Sequence, residues 1–275
     1  MSQIKSANWH ITSNCNYACK FCFAKNRGSE ILDIRTITGI LTTLREKGIE
    51  KINFAGGEPL LHPRLKDMLS ISKGLEMVTS VVTNGSLLSD RVFDEMSENI
   101  DWIGISIDSA NDEIERSLGR GSGHHVEYVK TLAPIIHSKD IKLKINTVVI
   151  RTNLDEDLRP LIEELDPQRW KVFQYLHVDG TNDENHTQMQ VSTDEFRRFE
   201  TRNRNILLRG GSKPIFESNE DMVRSYLMIS PDGQLTINSD NSYTKVSWDH
   251  FRREPMEKFI DEQRYLSRGG LYHWL

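Results

Sequence analysis

Cysteine is scarce in this chain: there are 3, and all fall in one short stretch, "SNCNYACKFCFAK" (13–25), as Cys15, Cys19 and Cys22. An odd number so closely clustered excludes a disulfide framework within one chain. It leaves small buried hydrophobes, or a metal or redox centre in a reducing compartment. Proline is sparse as well, with 8 residues, and no low-complexity tract or internal repeat divides the sequence. No apolar run approaches the roughly 20 residues that span a bilayer, and the opening "MSQIKSANWH" has no apolar signal-peptide core. Nor is there an excess of basic charge. The 35 Lys and Arg stand against 40 Asp and Glu, a formal −5, which disfavours wholesale nucleic-acid binding. These absences predict a cytoplasmic monomer with no membrane and no nucleic-acid partner.

What the chain does have is length, 275 residues, enough for one α/β barrel or two smaller domains. Strand-like runs at 7–12, 51–56, 79–84, 102–108, 142–150 and 169–178 alternate with helix-like spacing at 35–47, 64–74, 89–98, 124–138 and 155–165. Six strands with intervening helices predict parallel βα units, and the regular spacing favours a partial (β/α)6 barrel over a doubly wound sheet. After residue 178 the pattern changes. Residues 179–190 read as a polar loop, 193–208 as a charged helix, and "LMISPDGQLTIN" (227–238) as a hairpin turning at Asp232-Gly233. The expected organisation is a barrel over 1–178 and a C-terminal extension over 179–275 packing on the barrel and its site, as one structural unit.

The spacing Cys15-x3-Cys19-x2-Cys22 puts three thiolates on one loop directly after the first strand. Three ligands on a [4Fe-4S] cluster leave one iron open to an outside molecule, as a four-cysteine cluster does not. Zinc is the competitor, with His10 as a fourth ligand. CxxxCxxC after a first strand resembles the radical S-adenosylmethionine superfamily, whose partial TIM-type barrel carries a [4Fe-4S] cluster that binds S-adenosylmethionine. "GGEP" (56–59), "TNGS" (83–86) and "SIDS" (106–109) follow in order at expected strand ends, where barrel active sites form. The resemblance implies that Phe21, Gly56, Gly57, Glu58, Asn84, Ser106 and Arg120 contact the cofactor.

Alternation along two strands supplies a substrate clue. Ile141, Leu143 and Ile145 face one way, and Lys142, Lys144 and Asn146 the other; Lys51 and Asn53 oppose Ile52 and Phe54 in the same manner. With helices outside, the lysines point inward, where ammonium groups are costly without anions, and neither strand supplies an acid. Arg169, Lys171 and Arg120, in "GRGSG" (119–123), join them. Converging cations suit a polyphosphate, unless the stems snorkel to the barrel rim.

"NCNYACKFCF", "GIEKINFAGGEPLL", "NGSL", "LGRGSG", "KINTVVIRTNLDED", "RWKVFQYL", "ESNEDMVRSYLMI" and "RGGLYHW" narrow the resemblance to the viperin family, most like its compact prokaryotic members. That family converts a ribonucleoside triphosphate (CTP, UTP or GTP) to its 3′-deoxy-3′,4′-didehydro analogue, an antiviral chain terminator. The resemblance implies that Lys51, Arg120, Lys144 and Lys171 hold the triphosphate, that Asn8 lies by the nucleotide, and that Tyr226 takes part in the last reduction. It also implies an electron donor such as flavodoxin or ferredoxin. Animal members carry a membrane-binding N-terminal helix, whereas this chain begins almost at its first strand. "NSDNSYTK" (238–245) lacks the cysteine and glycines found there in the animal enzyme. Two other readings are a GTP 3′,8-cyclase, which needs three C-terminal cysteines that are missing after Cys22, and a non-catalytic metal-binding protein.

Overall fold

The computed structural model describes residues 2–25, 28–239 and 242–274. Asp240 and Asn241, within the 238–245 segment noted above, lie outside the described residues.

From the N-terminus, strand and helix alternate as β1 (Ser6–Thr12), α1 (Ile34–Glu46), β2 (Lys51–Gly56), α2 (Leu65–Gly74), β3 (Val78–Thr83), α3 (Asp90–Met96), β4 (Trp102–Ser106), α4 (Asp112–Ser117), α5 (His125–Ser138), β5 (Lys142–Val149), α6 (Arg159–Leu165) and β6 (Arg169–Gln174). Local chemistry accounts for the helices. In α1, Asp33 caps the N-terminus by accepting from Thr36 N, and Ile37, Ile40, Leu41 and Leu44 recur on the face that turns to the sheet. Burying each such side chain stabilises the fold by about 1.5–3 kcal/mol.

Strand and helix ends differ from the sequence pattern where side chains capture the backbone. β4 stops at Ser106 rather than 108 because Asp108 N and Ser109 N both donate to the Glu115 carboxylate. β6 stops at Gln174 rather than 178, and Asn182 Oδ1 takes Val178 N into a turn. α6 begins at Arg159 rather than 155, at Pro160, with Leu158 N donating to Asn203 Oδ1. The 179–190 loop contains a 3-10 turn (Asp183–Asn185) running into a short helix, α7 (His186–Met189), and the charged helix α8 (Thr193–Asn203) starts in a Ser192/Glu195 capping box. α4 had no expected counterpart.

Among the described residues ten strands form one sheet, in the order β10-β9-β8-β1-β2-β3-β4-β5-β6-β7. β1 to β6 are parallel neighbours in sequence order, as the βα pattern predicts, and form a partial barrel. The C-terminal region enters the sheet itself. β7 (Ile215–Glu217) pairs parallel with β6, and β8 (Leu227–Ile229) pairs parallel with β1. The expected hairpin joins β8 to β9 (Leu235–Ser239) through Gly233 at φ +74°, and β10 (Ser242–Val246) follows antiparallel. Between β7 and β8 lies α9 (Asn219–Met222); α10 (Trp248–Arg253) and α11 (Glu262–Ser267) follow β10.

The helices cover the outer face of the sheet, where Ile52, Phe54, Leu143 and Ile145 join one large apolar core. The inner face is polar. Register sets Asn8 beside Asn53, Lys144 beside Arg169, and Asn146 beside Lys171. Beyond α11 the chain crosses under the barrel: Trp274 O accepts from Trp102 Nε1 at 2.9 Å and from Lys142 Nζ at 3.2 Å. Among the described residues no helix is long and apolar enough to cross a membrane.

Candidate active site

The inner face encloses a cavity of about 300 Å³ that runs from the cysteine loop to this aromatic floor. Every site residue read from the sequence lines it except Glu58.

At one end is the cysteine loop, held by backbone contacts that only glycine permits. A Cβ on Gly56 would meet Thr12 O at 2.2 Å, one on Gly57 would meet Asn14 O at 2.2 Å, and one on Gly119 (φ +81°) would meet Ala18 O at 2.4 Å. Gly57 N donates to Thr12 O at 2.6 Å, Ala18 N to Gly119 O at 3.0 Å and Lys20 N to Leu118 O at 2.9 Å, stitching the loop to β2 and to the turn after α4. Glu58 stands behind this surface, completely buried. Its carboxylate accepts from Thr83 Oγ1 (2.7 Å), Asn84 N (2.8 Å) and Leu60 N (3.1 Å), bracketing the ends of β2 and β3.

The donor set fits an iron–sulfur cluster better than zinc. Tyr17 N points at Cys15 Sγ and Ala24 N at Cys22 Sγ, each at 3.4 Å, with Asn84 Nδ2 3.9 Å from Cys15 Sγ; such N–H groups stabilise ligating thiolates. A single zinc would draw sulfurs to within about 3.8 Å of one another, given Zn–S bonds near 2.3 Å. Among the described residues, the one trio of His, Cys, Asp or Glu with donor atoms all within 4.8 Å is His177, Asp179 and Asp183, on an exposed loop, and not the cysteines. Burial pushes the Cys19 thiol up to about 12.

Next to Cys19 stands Arg120, its guanidinium carbon 5.5 Å from the Phe21 ring centroid. Its charge is balanced locally, by Asp108 at 2.7 Å and Glu115 at 3.4 Å, both fully buried. Burial works against the Arg120 cation, but these carboxylates outweigh it and raise its pKa; burial, followed by repulsion from Asp108, lifts Glu115 to about 8. Ser106 O accepts from His125 Nε2 at 2.8 Å, and Asn84 Nδ2 donates to Asn16 Oδ1 at 2.9 Å.

At the other end are the inward cations. Lys51, Lys144, Arg169 and Lys171 are between 1% and 8% exposed, so their charges do not snorkel to the rim. Lys51 Nζ donates to Tyr272 OH at 2.6 Å and lies 4.3 Å from the Trp102 ring centroid. Burial, then Lys144 and Arg169, drive its pKa well below the ordinary lysine value. Lys144 falls to about 7, through burial and then Arg169. Arg169 donates to Gly269 O and stacks 3.7 Å over Tyr272. Lys142 faces the same way but stays near the floor, on Trp274 O.

Sequence reading missed the acid among these cations. Glu217, at the end of β7 and fully buried, ion-pairs with Lys171 and accepts from Tyr226 OH at 2.5 Å. Lys171 Nζ also donates to Tyr226 OH at 2.9 Å, and Arg268 stacks 3.7 Å over the Tyr226 ring while bonding Ser225 O. The signal available was "ESNEDMVRSYLMI" and "RGGLYHW", which contain Glu217 and Tyr272; nothing local in them reports pairing with β6. The result is one cavity with three thiols at one end and an excess of buried positive charge at the other, where an anion would relieve the cost of desolvation.

A model of the radical SAM superfamily matches residues 9–165. The chain is 36% identical to a S-adenosylmethionine-dependent nucleotide dehydratase of a Thermoplasmatales archaeon, covering 99% of this chain and 97% of that one. It is 35% identical to a protein of the same name from Flammeovirga pacifica, over 98% and 96% of the two chains. Among solved structures, Streptococcus suis SuiB bound to precursor peptide SuiA superposes with TM-score 0.69 at 16% identity, over 96% of this chain and 66% of that one. The enzyme anSMEcpe with bound AdoMet gives 0.64 at 14% identity, over 96% and 82%. At these identities the two structures speak for the fold alone.

Proposed function

We propose that this chain, which belongs to the radical SAM superfamily and within it to the family of S-adenosylmethionine-dependent nucleotide dehydratases, removes water from the ribose of a nucleoside triphosphate. The product is the 3′-deoxy-3′,4′-didehydro nucleotide of CTP, UTP or GTP, acting as an antiviral chain terminator. The observation that carries this reading is the joining of a three-cysteine loop to buried, under-neutralised cations in one cavity.

Cys15, Cys19 and Cys22 would hold the [4Fe-4S] cluster, and Phe21, Gly56, Gly57, Asn84 and Ser106 would receive S-adenosylmethionine, with Glu58 fixing the loops that carry them. When bound, the cluster and S-adenosylmethionine supply the one-electron chemistry that removes a hydrogen from C4′ of the ribose. The chain's own residues position the substrate. Lys51, Lys144, Arg169 and Lys171 take the triphosphate, each charge-assisted contact contributing about 1.5–3 kcal/mol, and orient the ribose towards the cysteine end. Arg120, already paired with two carboxylates, stands at the junction of the two halves and adds direction more than net charge. Asn8 meets the nucleotide from β1. The Tyr226 phenol, held neutral by burial and by Glu217, supplies a hydrogen-bonding group beside the substrate for the last reduction.

Residues 1–178 form the barrel and 179–275 complete it as one structural unit. The protein works as a cytoplasmic monomer, reduced by a flavodoxin or ferredoxin, without nucleic-acid or membrane partners.

Anaerobic cluster reconstitution, followed by incubation with S-adenosylmethionine, dithionite and each of CTP, UTP, GTP and ATP, tests this. A nucleotide product lighter by one water, formed together with 5′-deoxyadenosine, is expected from at least one of them. Formation of 5′-deoxyadenosine with all four nucleotides unchanged would overturn it.

A further inference from the structure

The cation end of the cavity has a carboxylate that a triphosphate site does not need for binding. Glu217 is fully buried on β7, in register with Phe173 of β6, and both of its oxygens face site residues: one the Lys171 ammonium, the other the Tyr226 hydroxyl. Placed among Lys171, Lys144, Arg169 and Arg268, it repels the anion these cations attract. If anion binding were the sole purpose of this end, an amide or an apolar group would serve better, so the acid must do something else.

Its geometry indicates what. Tyr226 lies immediately before β8, which sits between β9 and β1 at the far side of the barrel from the edge strand β7, and β7 and β8 do not pair with each other. The Tyr226–Glu217 hydrogen bond links the start of β8 to β7 beside the cavity that Tyr226 lines, and Arg268 presses on the ring's face. Without the carboxylate the phenol would keep the Arg268 stacking and the 2.9 Å contact from Lys171 Nζ, but nothing would accept its proton; Glu217 does, and so sets the hydroxyl's direction.

We propose that Glu217 is the positioning residue for Tyr226, holding the phenol in its working orientation, and that an incoming triphosphate draws the Lys171 ammonium from Glu217 to a phosphate, leaving the carboxylate bonded to Tyr226 alone. This rests on the nucleotide reading of the site given above. Substrate entry and tyrosine alignment are thereby linked through one lysine: before binding the carboxylate is shared, and after binding it serves only Tyr226.

The test uses the reconstituted full-length enzyme with whichever of CTP, UTP or GTP the unaltered protein converts. In Glu217→Gln the carboxylate's repulsion is gone, so the triphosphate should bind tighter by about threefold in calorimetric titration. The number of nucleotide products per 5′-deoxyadenosine should fall about fivefold, because the phenol is no longer fixed. A merely structural role predicts the opposite sign for binding. Weaker binding in Glu217→Gln, or an unchanged product ratio, would overturn the proposal. Should that variant fail to fold, Glu217→Asp keeps the charge but draws the carboxylate back from the phenol by one methylene: the product ratio should fall similarly while triphosphate affinity, with the repulsion retained, stays within about twofold. An unchanged ratio there overturns the proposal as well. If the unaltered enzyme itself makes 5′-deoxyadenosine and converts no nucleotide, the functional reading falls first, which separates the two failures.

Discussion

Lys144 carries the clearest pH consequence. In the open cavity its pKa is about 7, lowered by burial and by Arg169, whereas a bound triphosphate favours the charged form and raises it. The Lys144 contribution to affinity should therefore be greatest below pH 7 and decline as pH rises from the free value towards the bound one, with about one proton taken up at Lys144 per triphosphate at pH 8. Titration in buffers of different ionisation enthalpy measures the uptake, and Lys144→Met should reduce it; an enthalpy independent of buffer would contradict the assignment. The inward direction of Lys51, Lys144 and Lys171 was legible because a strand alternates with period two and the opposite faces are apolar. Glu217 was not, because β7 is three residues long and its pairing is set by tertiary contacts. This changes the expectation for Lys171. Its removal withdraws a phosphate contact and also strands a buried carboxylate, at a cost of about 3–5 kcal/mol.

Among the elements, the turn after α4 governs the cysteine loop. Gly119→Ala would force its Cβ to 2.4 Å from Ala18 O at φ +81°, a strain of about 1–3 kcal/mol that the loop relieves by moving. Visible absorbance per reconstituted chain should fall by about half or more, with far-ultraviolet circular dichroism unchanged. Gly39→Ala is the contrast: on α1, with nothing within 4 Å of the new Cβ, it should stabilise by about 1 kcal/mol in thermal melts and leave the absorbance alone. The six central strands were readable in the sequence since each is a β-rich run between helical stretches. The ends of β4 and β6 were not, because the Glu115 and Asn182 side chains capture backbone groups a few residues away, and nor was the start of α6, where Asn203 takes Leu158 N from 45 residues along the chain. The β8–β9 hairpin was readable from Asp232-Gly233, but its place beside β1 was not.

At the scale of the whole molecule, the strands of the described residues form one continuous sheet, with the C-terminal third supplying both flanks of the barrel. Tyr265 of α11 receives a hydrogen bond from Lys5 N at 3.1 Å and donates to Gly270 O at 2.8 Å, tying the first strand to the floor. Deleting 179–275 should therefore leave an unfolded or aggregated chain rather than an isolated barrel, since β1 and β6 would both become open apolar edges. Circular dichroism and gel filtration of residues 1–178 check this; a monomeric, cooperatively melting fragment would show that the barrel stands alone. The joined flanks also set an order of events during synthesis. The cysteine loop leaves the ribosome early, while the strand that shields β1 and the aromatic floor under Lys51 emerge much later. A nascent chain thus exposes its three thiols before it can enclose a nucleotide, so a partly made molecule is open to metal loading and oxidation but has no chamber in which to turn over.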